Sequence, residues 1–188
     1  MPIVWTERPE ANELLERDPL ALLIGLVLDQ QVKMEKAFEG PYELQQRLGR
    51  LDAREIAAMD PDQLDAVFRR RPALHRFPGT MARRVQALCR VVADRYGGDA
   101  GAVWRDVADG DELARRISSL PGFGEMKGRI TVSVLAKKFG VQPPGWEKHA
   151  ARWHTVADVD SPETMQEARD VKRRMKAGER SPGTSAPG

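Results

Sequence analysis

The sequence predicts an all-α fold, and three observations carry that prediction. Leu20 to Leu28 form an unbroken apolar run opened by Asp18 and Pro19. Val85, Leu88, Val92 and Tyr96 recur at three or four residues. No stretch alternates apolar and polar residues with β-branched enrichment, so no sheet is expected.

The elements follow in order. Asp18 is a cap and Pro19 a first-turn proline, which places a helix over 20–28, apolar on every side and therefore buried among others. Asp60 and Pro61 repeat that signal before Gln63 to Arg70. Thr80 opens a third helix whose apolar stripe ends at Tyr96 and which Gly97 and Gly98 close, leaving Arg83, Arg84 and Arg90 off the stripe, toward water or a ligand. Asp111 to Ser118 makes a short helix with Leu113 and Ile117 inward, and Lys127 to Lys138 a longer one stopped by Phe139 and Gly140. Ser161 and Pro162 start the last, which runs to about Ala177. The segment 178–188, ending SPGTSAPG, has nothing to bury and is expected to be disordered.

Composition excludes several classes. The chain has 188 residues, 41% hydrophobic and 31% charged, enough for one soluble domain or two small subdomains. Its longest apolar run is far short of the roughly 20 residues of a membrane span, and MPIVWTERPE lacks the pattern of a secretory signal, so a cytoplasmic protein is expected. Cys89 alone makes no internal disulfide and holds no iron–sulfur cluster; in its apolar stripe it reads as a small core residue. His75, His149 and His154 lack metal-ligand spacing, so neither metal nor cofactor is expected. The net charge of +2 implies no polyanionic partner, but it is unevenly spread: residues 1–60 are net acidic and the remainder net basic. Arg69, Arg70, Arg71, Arg76, Arg83 and Arg84 follow one another with no acid between.

Leu120, Pro121, Gly122, Phe123 and Gly124 separate two of these helices. Proline then glycine fits the two central positions of a type II turn, whose second needs the positive φ that glycine tolerates. Gly124 lets a second molecule approach the backbone. Such a turn running straight into a helix leaves amide N–H groups unpaired at the positive end of the dipole, a place suited to phosphate, and Lys127 and Arg129 would add charge. A plain helix-to-helix turn is the alternative.

LPGFGEMKGRITVSVLAKKFG resembles the helix-hairpin-helix segment of the DNA glycosylase superfamily that includes endonuclease III, the MutY-type adenine glycosylases and the 3-methyladenine glycosylases. LLIGLVLDQQVKMEKAF resembles that family's buried helix and following turn, and HRFPGTMARRVQALCRVV its helix ahead of the hairpin. The resemblance runs from about Asp18 to Ala177 in the expected order. It implies a helix-hairpin-helix glycosylase fold of two helical subdomains flanking a DNA cleft, in a short member without the iron–sulfur cluster. The expected division is 12–141 for a helical barrel, with 1–11 plus 142–177 as the second unit. The implied partner is double-stranded DNA holding a damaged or mispaired base.

The resemblance also implies roles. Gln31 would enter the space vacated by a flipped nucleotide, with Gln30 beside it, and Gly122, Phe123, Gly124, Lys127 and Arg129 would hold DNA. A carboxylate is needed beside the oxocarbenium-like sugar. The family's aspartate position falls on Glu147, one methylene longer, with His149 two residues on; Asp29, two before Gln31, is a second candidate. The family's lyase lysine position is Met126, and Lys127 one residue later should turn away toward the phosphates. The expectation is therefore a monofunctional glycosylase without AP-lyase activity. The rival is a non-catalytic DNA-binding or damage-recognition module, and a third possibility is a helical adaptor without DNA affinity. Trp146 and Trp153 could stack on a base or pack against the last helix.

Overall fold

The structure, a computed structural model, describes residues 2–178. It is all-helical: nine α-helices and three short 3₁₀ turns, with no strand among the described residues. The expected disordered tail lies, apart from Gly178, outside the described residues.

The helices are α1 (Pro9–Arg17), α2 (Pro19–Leu28), α3 (Met34–Leu48), α4 (Ala53–Ala58), α5 (Pro61–Arg69), α6 (Pro78–Tyr96), α7 (Gly110–Ser118), α8 (Glu125–Phe139) and α9 (Pro162–Lys176). Their starts follow local chemistry. Asp18, Asp60, Asp109 and Ser161 each accept backbone N–H groups as N-caps, and Pro19, Pro61, Pro78 and Pro162 occupy first-turn positions. α6 begins two residues ahead of the expected Thr80 because Pro78, whose missing N–H costs nothing in a first turn, already starts it.

α2 is the axis of the molecule. Its residues from Leu20 to Leu28 are all buried, as an apolar surface all round requires. α3 packs on it closely: a Cβ on Gly25 would lie 2.9 Å from Phe38, and one on Gly40 2.4 Å from Leu28. Trp5 packs against Phe38 with ring centroids 4.6 Å apart and the ring planes tilted by 51°, closing the N-terminal segment onto the same core. α6 buries Met81, Val85, Leu88, Cys89 and Val92, while Arg83, Arg84 and Arg90 face outward as expected. Burial pushes the Cys89 thiol up to about 12, which suits an unreactive core residue.

Among the described residues no helix is long and apolar enough to cross a membrane, and no three His, Cys, Asp or Glu side chains come together as a metal site.

Candidate functional site

The site grows from the C-terminal end of α2. An apolar helix cannot cap itself, and its last four carbonyls need donors from elsewhere. Asp29 N–H donates to Gly25 O at 3.0 Å. Lys127 Nζ, from α8, donates to Leu26 O at 2.6 Å. Gln30 Nε2 donates to Val27 O at 2.8 Å. Leu28 O accepts from Gln30 N–H at 2.7 Å and from His75 Nε2 at 3.1 Å. Asp29, at φ −74 and ψ 65, is thereby the centre of an inverse γ-turn.

That turn throws the next residue into strain. Gln31 is exposed at φ +56, one of two non-glycine residues with positive φ among the described residues. An L-side chain pays for this conformation in sterics, and such outliers gather where function demands a fixed direction. The Gln31 side chain takes no hydrogen bond among the described residues, whereas the Gln30 side-chain carbonyl oxygen accepts from Arg84 Nη1.

The hairpin has the geometry its residues predict. Phe123 N–H donates to Leu120 O at 3.2 Å and Gly122 sits at φ +86, as in a type II turn. Leu120 and Phe123 are buried and anchor the bend, so Phe123 can offer a ligand only its backbone. Gly122 and Gly124 are exposed. Gly124 is the N-cap of α8 with no side-chain cap among the described residues, and a Cβ there would meet nothing within 4 Å. The first amides of α8 therefore have no side-chain cap among the described residues. Gly122 and Gly124 line one hollow with Gln30, Arg84 and Lys127.

A second cavity of about 560 Å³ adjoins it through Gln30, Gly124 and Lys127. Leu26, Met34, Met126, Ile130 and Trp153 give it apolar walls, and Asp29, Gln31 and Lys172 stand on its polar side. The Asp29 carboxylate is paired with Lys172 of α9 and is only 11% exposed. Lys127, desolvated between α2 and α8, has its ammonium pulled down to about 8; Lys172 and Arg84 push the same way, and Asp29 opposes them.

Several expected positions differ from this arrangement. Lys127 does not turn away from the pocket as expected: its ammonium is recruited by Leu26 O, and the residue lines both the cavity and the hairpin hollow. Arg129 is not a free cation either, since Nη1 donates to Lys148 O at 3.1 Å and Ala150 O at 3.2 Å and fixes the 146–150 turn. Glu147 is exposed on that 3₁₀ turn and is not among the residues of the cavity wall. His149, two residues on, holds Asp111 at 2.6 Å instead. Asp29, Gln30, Gln31, Gly122 and Gly124 are brought together around the two hollows. Sequence reasoning missed His75, Arg84 as a partner of Gln30, and Lys172 as a partner of Asp29; the last lies 143 residues away and no local pattern signals it.

No family model matches the chain, and no curated protein matches it. Among solved structures, one described as a trapped endonuclease III–DNA covalent intermediate, an estranged-adenine complex, has a TM-score of 0.44. It shares 21% identity with this chain, covering 89% of this chain and 73% of the other.

Proposed function

We propose that the protein is a DNA glycosylase of base-excision repair, which turns a damaged or mispaired nucleotide out of the duplex and hydrolyses its N-glycosidic bond. The observation that carries this reading is Gln31: a strained, exposed amide on the rim of a base-sized cavity, beside a hairpin whose amides are open to an anion. Flipping costs a few kcal/mol, and a side chain that fills the gap and bonds the orphaned base offsets part of it.

In this reading the Gly122 and Gly124 backbone receives a phosphate of the lesion strand, with Arg84 adding charge and Gln30 held against it. The extruded base enters between Met126, Ile130 and Trp153. The carboxylate that stabilises the oxocarbenium-like sugar, or takes the proton of the attacking water, is Asp29, because it alone of the two candidates lines the cavity. The cleft then lies between the helical barrel, ending near 141, and the segment that follows it.

The test is base release from duplexes carrying uracil, hypoxanthine, oxidised or alkylated bases, read as strand breaks after hot alkali. Release is expected from at least one lesion, lost in Asp29→Asn and kept in Glu147→Gln. Duplex binding without release from any would favour the damage-recognition module, and absent DNA affinity the adaptor.

One observation favours a variant of this reading. An amine held near 8 on the cavity wall is suited to attack C1′ and form a Schiff base. The principal reading is monofunctional, with Lys127 held by the α2 carbonyls, and expects no borohydride-trapped DNA adduct. A trapped adduct that disappears in Lys127→Met would convert the assignment to a glycosylase–lyase.

A further inference from the structure

His75 is buried, 2% exposed, in the loop between α5 and α6. Its ring has three backbone partners. Phe77 N–H donates to Nδ1 at 2.9 Å, so Nδ1 carries no proton. Nε2 is then the protonated nitrogen, and it donates to Leu28 O at 3.1 Å and Gln30 O at 3.0 Å. Leu28 and Gln30 bracket Asp29, and Gln30 directly precedes the residue in the left-handed conformation. One imidazole thus ties the start of α6 to both ends of the γ-turn.

We infer that His75 is a positioning residue: as a neutral Nε2–H imidazole it fixes the 28–30 turn and so holds Gln31 and Asp29 in their working directions. The inference rests on the repair reading above and deepens it. Without the ring, Leu28 O and Gln30 O both lose its N–H, and the turn is released from α6's entry loop.

The tautomer makes the arrangement sensitive to protonation. Burial lowers the His75 pKa from its ordinary value, and the cations that face it, Lys36 of α3 and Arg84 of α6, lower it further, while its two carbonyl bonds oppose that. Arg76, next in the chain, lies over the Phe77 ring at 5.3 Å, and the neighbouring Asp29 carboxylate is taken by Lys172. At pH 7 the ring is therefore neutral. As pH falls below the ordinary histidine range Nδ1 gains a proton and turns a donor toward the Phe77 N–H, which unseats the loop.

The experiment measures affinity for a duplex with a tetrahydrofuran abasic analogue, against the undamaged duplex, for wild type, His75→Leu, His75→Gln, Gln31→Ala and the His75→Leu/Gln31→Ala pair. His75→Leu is expected to weaken abasic-site binding about 10-fold and to add nothing in the Gln31→Ala background, the non-additivity of groups acting through one another. His75→Gln, which keeps a donor and an acceptor, stays within about threefold of wild type. Wild type loses its abasic preference as pH falls below the ordinary histidine range, and His75→Gln does not. Nitrogen-15 shifts report the Nε2–H tautomer in the folded protein. Additive losses, a glutamine variant as weak as leucine, an Nδ1–H tautomer, or a flat wild-type pH profile would each overturn the role of His75. Should His75→Leu fail to fold, the glutamine, tautomer and pH arms decide. A wild-type protein indifferent to the abasic site overturns the repair reading and this one with it, whereas additivity in a protein that prefers the site overturns this one alone.

Discussion

An L-residue at φ +56 carries a steric cost of about 1 kcal/mol that glycine does not. At Gln31 nothing inside the protein offsets it, since the side chain is exposed and takes no hydrogen bond among the described residues. Gln31→Gly is therefore expected to raise the unfolding free energy by roughly 0.5–1 kcal/mol while weakening abasic-duplex binding about tenfold. Denaturant melts and binding isotherms on the same preparation check both; a variant that loses stability, or keeps full affinity, would deny the residue its role. Lys127 offers a second test. Its folded pKa of about 8 lies below the ordinary lysine value, so between the two the unfolded chain holds more protons than the folded one. Stability must then rise with pH across that window, by at most about 1.4 kcal/mol per unit. Chemical denaturation of wild type and Lys127→Met at pH 7.5, 9 and 10 should show the difference moving in favour of wild type as pH increases. A constant difference would mean that the amine is not desolvated in solution.

The elements were legible wherever a cap, a proline and an apolar stripe coincided, as at α2, α5 and α9. α3 was not: it lacks a capping side chain, and a Gly-Pro pair, ordinarily a helix breaker, sits inside it at 40–41. Phe38 and Leu44, buried on either side of that pair, and the close approach of Gly40 to Leu28 outweigh the propensity cost. The hairpin was legible because its turn chemistry is local, and it allows a separation of structure from binding. Gly124 lies at φ −70, and a Cβ there would have no atom within 4 Å, so alanine fits without strain and should leave stability unchanged or slightly higher. It places a methyl group before the open amides of α8, and duplex affinity should fall at least several-fold. Gly122, at φ +86, has no such freedom: alanine there should cost about 1–2 kcal/mol of stability as well. If Gly124→Ala binds duplex as wild type does, these amides are not where the phosphate sits.

At the scale of the whole molecule, legibility ends where contacts are long-range. Asp29, Gln30 and Gln31 could be picked out beside the hairpin, but not the donors that cap α2, because Lys127 and His75 come from α8 and from the loop before α6. Nor could the ion pairs that seat α9, Lys172 to Asp29 and Arg169 to Glu35. The cationic partners of these pairs are more than a third exposed and screened by solvent, while their carboxylates are 11% and 24% exposed. α9 buries just Met165, Ala168 and Val171, whereas α2 is buried along nearly its whole length. The cavity thus has one rigid wall, α2 with α8, and one weakly held wall, α9, which contributes Ala168, Lys172, Met175 and Lys176. Local opening follows the density of buried apolar contacts, so amide exchange over 162–176 should be faster than over 19–28 and 130–139, and faster again in high salt, which screens the two pairs. On the proposed reading a duplex with an abasic analogue would seat against Asp29, and it should slow exchange in α9 more than undamaged duplex does. Exchange in α9 as slow as in α2, or equal protection by both duplexes, would show that this wall is fixed and takes no part in recognising the lesion.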